Sequence, residues 1–312
     1  MPYKNFTTYE QQIELLISRG INITSDSDKT FAKEVLKKVG YYGLINGYKE
    51  PFIDRANSDI GERYKTGTTL REIYALYEFD RVLRETFMSF ILKFETRIKS
   101  IISYHFSEAY GFDNYLLYKN FDTTARDANV YIPELISEVN RQIASRTKDP
   151  CISHYLNTYG YIPLWVLNNI LTFGTVSKFY NLMKLTEKTK VAREFNIQPH
   201  EMENFLKYLS ALRNFCAHGN RLFCYNSNKK SLSDTQYHDS LNIPIENGNY
   251  TKGKRDLFAA LIALRILLSN NDYKRLKRKL KKIIYRFSTQ IRTLEISEVL
   301  DIMGFPSNWT NL

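Results

Sequence analysis

Residues 69–109 contain neither proline nor glycine, the two residues that most often end or kink a helix. The segment is longer than an ordinary globular helix, so we expect a long helical element with a kink or break inside it. Only eight prolines and 13 glycines occur among the 312 residues, which favours helices over a β-sandwich. The predicted fold class is therefore all-α.

Helical spacing of apolar residues predicts further helices along the rest of the chain. These are residues 7–19, 27–40, 129–145, 150–158, 164–184, 187–195, 199–217, 253–269, 271–292 and 294–303. Irregular structure is expected at 41–66 and 112–128, and a long polar loop at 224–251. Because no repeat or shift in composition marks a boundary, we expect one helical unit over 1–312. It has an N-terminal helical extension over about 1–67 and a helical core over about 68–312.

Charged and titratable residues cluster at the carboxyl end of the predicted 199–217 helix. Arg213, Asn214 and His218 fall within the last turns, Arg221 follows, and Gly219 is the expected helix stop. Asn214 and His218 are four residues apart and share a helix face. Arginine binds phosphoryl oxygens through a planar set of donors, and histidine transfers protons near neutral pH. The cluster therefore indicates chemistry on a phosphate.

This cluster resembles the Arg-x4–6-His signature of the HEPN ribonuclease superfamily, because four residues separate Arg213 from His218. Other parts of the chain resemble one branch of it, the bacterial abortive-infection Abi-like family (AbiD/AbiF type). The matching blocks are Val39–Tyr42, Phe94–Lys99, Ile162–Trp165, Leu171–Ser177 and Gly304–Trp309. The resemblance covers nearly the whole chain.

The resemblance implies a HEPN-like helical bundle and an endoribonuclease toxin that acts without a metal or other cofactor during phage infection. The RNA 2′-OH would attack the adjacent phosphate, leaving a 2′,3′-cyclic phosphate and a 5′-OH. His218 would be the general acid or base, Arg213 would stabilise phosphate charge, and Asn214 and Arg221 would support the site. Glu95, Arg97 and Lys99 belong to a matching block, so either a secondary functional role or a structural ion pair is open for them.

Family members pair two such motifs across a dimer, so the resemblance also implies a homodimer. RNA is the expected substrate, and a regulatory non-coding RNA or protein is a further expected partner. The alternative is a HEPN-like module that binds a structured RNA or a partner without cutting, as part of a toxin–antitoxin or defence complex. The sequence alone does not separate these functions.

The excess positive charge of the chain lies in one segment. Residues 252–292 hold 13 Lys and Arg against two acidic residues, an excess equal to the net charge of +11 of the whole chain. A helical apolar stripe over 273–287 predicts an amphipathic helix whose cations face solvent. The candidate RNA-binding residues are Lys274, Arg275, Lys277, Arg278, Lys281 and Lys282. Phosphate contact and a merely solvated basic face are both compatible with this pattern, and membrane-surface binding is the weaker interpretation.

Other classes of site lack their signatures. The five histidines form no HxH or HExxH pattern, and the three cysteines form no CxxC pair, so no metal site is expected. Cys216 is expected to pack as a small apolar residue. A second Arg-x6-His match, Arg193 to His200, has Glu194 after the arginine and Pro199 before the histidine, which favours a helix junction. No signal segment at residues 1–4 and no apolar run long enough to span a bilayer is apparent, so we expect a cytoplasmic protein.

Overall fold

A computed structural model describes residues 5–55 and 61–312 of the chain. Residues 1–4, where the absence of a signal segment was predicted, and 56–60, within the predicted 41–66 loop, lie outside the described residues. The described part is mainly helical, and its sheet is a single two-stranded hairpin, which confirms the all-α class. The helices are α1 (Tyr9–Ser18), α2 (Asp26–Val39), α3 (Leu70–Tyr110), α4 (Ala128–Ser145), α5 (Pro150–Tyr159), α6 (Leu164–Leu167), α7 (Phe173–Leu182), α8 (Leu185–Arg193), α9 (Pro199–Ala217), α10 (Gln236–Ser240), α11 (Leu257–Leu267), α12 (Asn270–Ser288) and α13 (Ile296–Ile302).

Helix α3 runs unbroken for 41 residues, so the predicted kink or break is wrong. At about 1.5 Å per residue it is roughly 60 Å long. The Thr69 side chain caps its first turn, and Gly111, with φ of 84°, ends it. Different elements cover its apolar face at successive levels, which keeps the helix buried along its length. Phe79 stacks on Phe287 of α12 with ring centroids 4.5 Å apart, and Phe106 contacts Phe179 of α7 at 4.9 Å.

The predicted helix over 164–184 is divided into α6 and α7 by residues 168–172. The Asn168 amide donates to the Lys99 carbonyl of α3, 2.6 Å away. The Thr172 hydroxyl then accepts the Thr175 N–H at 3.1 Å and caps α7. This tertiary bond and local cap replace the helical bonds that continuation would require. The division gives α7 its own first turn, which begins beside α9.

The segment 224–251, predicted as a long loop, contains local structure. Helix α10 is followed by a hairpin of two strands, β1 (Ile245–Glu246) and β2 (Asn249–Tyr250). Upstream, the Asn204 side chain of α9 donates to the Ser231 carbonyl and accepts the Ser233 N–H, each at 2.8 Å. These bonds fix residues 231–233 against α9, so this part of the segment lies along that helix.

The N-terminal extension packs against the first half of α3. Helices α1 and α2 form a hairpin, followed by a π-helical turn at Tyr42–Asn46 and a 3-10 turn at Glu50–Phe52. Leu44 and Ile45 in the π-helical turn are fully buried. The division between extension and core stays a prediction. The packing brings the Tyr42–Asn46 turn close to the chain that leaves α9.

Candidate active site at the end of helix α9

Helix α9 carries the Arg-x4-His cluster on its last turn. It begins at Pro199 and ends at Ala217, the bounds that the sequence predicts. Phe205, Tyr208, Leu209 and Leu212 are fully buried, and the Tyr208 hydroxyl donates to the Asp256 carbonyl at 2.6 Å. The apolar face anchors the helix in the core, so its carboxyl end has a fixed position.

Gly219 ends the helix as predicted. Its φ of 69° lies in the left-handed region, and the following Asn220 N–H donates to the Phe215 carbonyl at 3.4 Å. This is a glycine-stopped helix terminus. His218, directly before the stop, is exposed and its imidazole makes no hydrogen bond or ion pair with any described residue. An imidazole in this state is accessible to a ligand from solvent.

Arg213 is held by a carboxylate from α3. Its Nε lies 3.6 Å from Oε2 of Glu95, whose other oxygen lies 2.7 Å from the ammonium of Lys99. Glu95 is buried and Arg213 partly buried. Two cations thus share one carboxylate, and neither Arg213 Nε nor Glu95 Oε2 has a hydrogen-bond partner among the described residues. The cluster keeps one uncompensated positive charge and free guanidinium donors, which is suited to an anionic ligand.

A second pair on α3 fixes the chain after the helix stop. Asp80 is fully buried and paired with Arg84. Its carboxylate accepts the Phe223 N–H at 2.6 Å and the Tyr48 hydroxyl at 2.8 Å, while Arg84 donates to the Asn220 carbonyl at 3.2 Å. The sequence alone indicated no role for these two residues. Their i, i+4 spacing inside an apolar stretch was the available signal.

Arg221 binds the N-terminal extension. Its Nη1 donates to the Gly47 carbonyl at 2.8 Å and the Asn46 carbonyl at 3.3 Å. The structure therefore gives Arg221 a connecting contact, and its predicted supporting role at the site stays a prediction. The contact places the Tyr42–Asn46 turn, with Tyr42 79% exposed, next to the segment after His218.

The three charged residues of the Phe94–Lys99 block, Glu95, Arg97 and Lys99, have different structural roles. Glu95 pairs with both Arg213 and Lys99, but Arg97 lies elsewhere. The Arg97 guanidinium donates to the Leu267 and Glu194 carbonyls at 3.4 and 3.2 Å and stacks on Phe195 at 4.4 Å. It thereby joins the carboxyl ends of α11 and α8 to α3. The geometry of Arg97 is that of a structural contact.

Asn214 is exposed on the opposite side of α9 from its buried stripe and lines a small pocket with residues of α7. The pocket contains three lysines, none of which was singled out from the sequence. The structure thus places Arg213, Asn214 and His218 on the last two turns of one helix, with different neighbours.

Helix α12 has the predicted amphipathic arrangement. Tyr273, Leu276, Leu280, Ile284 and Phe287 are buried, and five of the six candidate cations are exposed. Lys277 is the exception, because its ammonium donates to the Leu312 carbonyl at 3.0 Å. Burial and the nearby Lys281 charge lower the pKa of Lys277. Lys282 borders a groove between α3 and α12 of about 970 Å³. RNA contact by these cations stays a prediction.

Two other features of the sequence have structural explanations. Arg193 ends α8 and His200 lies in the first turn of α9, so the second Arg-to-His match spans a helix junction, as predicted. Cys216 is buried, and burial raises the pKa of its thiol to about 12. A thiol with so high a pKa is protonated near neutral pH and packs as an apolar group.

Among residues 5–55 and 61–312, no helix is both long and apolar enough to cross a bilayer. Within the same ranges, no three His, Cys, Asp or Glu side chains are grouped in a way that could hold a metal ion.

Comparison with known proteins gives one finding for the family. The family model described as "Abi-like protein" matches residues 34–224, which is more than half of the chain. The matched region includes α3, the Glu95–Arg213 pair and the complete Arg-x4-His cluster. No curated protein and no solved structure matches the chain.

Proposed function

Since this chain belongs to the Abi-like protein family, we propose that it is an endoribonuclease of an abortive-infection system, with a HEPN-type site that acts without a metal ion. The observation that carries the proposal is the uncompensated positive charge of Arg213 and Lys99 around Glu95, one turn before the exposed His218. A phosphate diester supplies the missing negative charge, and the imidazole supplies proton transfer.

In the proposed reaction, the RNA 2′-oxygen attacks the adjacent phosphorus and the bond to the 5′-oxygen breaks. The 2′-OH loses a proton, and the leaving 5′-oxygen gains one. His218 carries one of these transfers. The Arg213 donors face the oxygens on which negative charge increases, while Glu95 limits the rotation of the guanidinium. Donors held in place in this way need little reorganisation during the reaction.

Cleavage in the presence of a chelator tests the proposed function. Purified protein incubated with single-stranded RNA and EDTA is expected to yield 2′,3′-cyclic phosphate and 5′-OH ends. Mass spectrometry of the fragments identifies the ends. Products that carry a 3′-OH, or cleavage that stops when EDTA is added, would contradict the proposal. RNA that is bound without cleavage would favour the non-cleaving alternative.

We further propose that the protein is a homodimer in which the two 213–221 segments face each other. The reaction requires a proton acceptor and a proton donor, whereas each chain offers one histidine at this site. Twofold pairing of identical surfaces is the commonest form of oligomer and supplies a second His218. Exposed Tyr42, held beside the site by the Arg221 contact, offers apolar surface for such pairing.

Light scattering is expected to give the mass of two 36.7 kDa chains. Asn220→Cys is expected to crosslink the two chains in a background where the exposed Cys151 and Cys224 are replaced by serine. Lys119→Cys, at an exposed residue outside α9 and the segment that follows it, is the control and is expected to remain uncrosslinked. A monomer that cleaves RNA would exclude a shared site.

The exposed cations of α12 are proposed to contact RNA phosphates. Replacing Arg278, Lys281 and Lys282 with Gln is expected to weaken binding for all RNA sequences. The slope of log affinity against log salt should fall by about 0.7 for each phosphate of a single strand that is no longer neutralised. Lys277→Gln is the matched control, because the Leu312 carbonyl already engages that ammonium. Fluorescence anisotropy across a potassium chloride series measures both slopes. If the triple variant keeps the wild-type RNA affinity and salt slope, the exposed cations of α12 only keep the protein in solution.

A further inference from the structure

A basic pocket of about 340 Å³ lies beside the candidate active site, between α7 and α9. Lys178 of α7, Lys207 of α9 and Lys230 of the following segment are three of the residues that line it. The other lining residues are small or amide side chains, with no carboxylate and no aromatic ring. This lining suits a compact anion, and it offers a nucleobase no surface on which to stack.

The nearby acidic side chains do not neutralise the three lysines. Glu203 lies 3.9 Å from the Lys207 ammonium and already pairs with Lys188 at 2.7 Å. Glu138, the carboxylate whose charge interacts with Lys178, is bound by Arg141 at 2.8 Å and by Gln142 at 2.6 Å. The pocket therefore keeps an excess of positive charge.

The Lys230 side chain is held over α9 by a backbone carbonyl, which carries no charge. Its ammonium donates to the Lys207 carbonyl at 3.0 Å, and its backbone N–H donates to the Ser227 hydroxyl at 3.0 Å. Burial, together with the charge of Lys207, lowers the pKa of Lys230. A bound anion would offset both effects, since it would pair with the two ammonium groups.

The pocket is aligned with the active-site end of α9. Lys207, Ser210 and Asn214 recur at helical spacing along its border, and His218 follows Asn214 by four residues. Asn214 is therefore about 6 Å before His218 along the helix axis, and Ser210 about 12 Å. A strand whose scissile phosphate lies at His218 can reach the pocket with a phosphate of a nearby nucleotide.

We propose that this pocket is a phosphate-binding subsite, which holds a backbone phosphate of the RNA strand beside the one that is cleaved. The inference rests on the proposed function for its ligand. Phosphate contacts of this kind set the register of a nucleic acid without reading its sequence. The subsite would thus position the strand so that the scissile phosphate meets Arg213 and His218.

Gly174, in the first turn of α7, allows a direct test. A Cβ added there would have Thr172 Oγ1 as its nearest neighbour, at 3.8 Å, so a side chain fits without displacing the fold. Gly174→Glu would place a carboxylate in the pocket, four residues before Lys178, where it would pair with that lysine. A carboxylate is favourable in the first turn of a helix, so folding is expected to be retained. Gly174→Gln has the same size and no charge, and is the matched control.

Binding is measured with a short fluorescein-labelled single-stranded RNA in a His218→Ala background, so that cleavage does not interfere. Lys178→Gln combined with Lys207→Gln is expected to lower the salt slope by about 0.7, the contribution of the one phosphate of a single strand that is no longer neutralised. Lys29→Gln with Lys37→Gln, two exposed lysines of α2, is the control for the same loss of charge. Gly174→Glu is expected to reduce affinity at low salt more than Gly174→Gln. Thermal unfolding verifies that each variant is folded.

The outcomes separate the subsite from the proposed function. A folded double variant whose slope equals that of the α2 control would overturn the subsite, even if the wild-type protein cleaves RNA. A lowered slope in a protein without nuclease activity would retain the subsite and overturn only the cleavage proposal. Inorganic pyrophosphate provides a further comparison. Pyrophosphate could raise the Tm of the wild type but not of Gly174→Glu, while the salt slope of the Lys178→Gln, Lys207→Gln variant equals that of the α2 control. In that case the pocket binds a free anion and the proposed RNA subsite is overturned.

Discussion

His218→Ala and Arg213→Ala are each expected to abolish RNA cleavage and growth arrest while leaving the fold intact. A placed proton-transfer group contributes about 10²–10⁴-fold to rate, and loss of one preorganised donor costs about 10²–10³-fold. The His218 imidazole has no hydrogen bond to any described residue, so its removal should leave the Tm unchanged. Rates are compared by gel analysis of labelled RNA, and folding by circular dichroism.

The second Arg-to-His match supplies the controls for these two variants. Arg193→Ala and His200→Ala remove side chains of the same two types at the junction of α8 and α9. Both variants are expected to retain wild-type cleavage. Arg213→Lys keeps the charge but loses the planar donors, so its activity should fall between those of the wild type and Arg213→Ala. Full activity in both Arg213→Ala and His218→Ala would exclude the site at the end of α9.

The parts of the fold that the sequence predicted best are those governed by local signals. Helix α9 has its predicted bounds because Pro199 begins it, Gly219 follows its end and a continuous apolar face connects them. The buried stripe of α12 follows from 3.6-residue periodicity in the same way. The sequence of residues 164–184 does not predict the break at 168–172 between α6 and α7, because that break depends on the bond from Asn168 to a carbonyl of α3.

The same distinction between local and long-range signals applies to the candidate site. Arg213, Asn214 and His218 could be identified because a single helix end carries all three. Their partners come from elements that are distant in sequence: Glu95 from α3, and Lys178 from α7. Charge balance depends on which residues share a space, and periodicity cannot supply that information. The break between α6 and α7 and the lysine pocket are connected, because the separate first turn of α7 places Gly174 in the pocket lining.

Asp80→Ala is expected to destabilise the protein strongly, because it removes the partner of a largely buried arginine. The change leaves Arg84 without its carboxylate and the Phe223 N–H and Tyr48 hydroxyl without an acceptor. Breaking such a buried pair costs about 3–5 kcal/mol in the free energy of unfolding. At roughly 2–4 °C per kcal/mol, the Tm should fall by on the order of 10 °C. Calorimetry of purified protein measures the shift.

A double-mutant cycle separates this ionic contribution from simple loss of packing. Arg84→Ala alone leaves the Asp80 carboxyl buried without its cationic partner, whereas Asp80→Ala with Arg84→Ala removes both side chains of the pair. The double variant should therefore be less destabilised than the sum of the single variants. Additive effects would mean that the two side chains contribute independently. Arg84 also donates to the Asn220 carbonyl, two residues after His218. Loss of the pair is therefore expected to lower cleavage even at temperatures where the variant is fully folded, because the chain after His218 would no longer be fixed to α3.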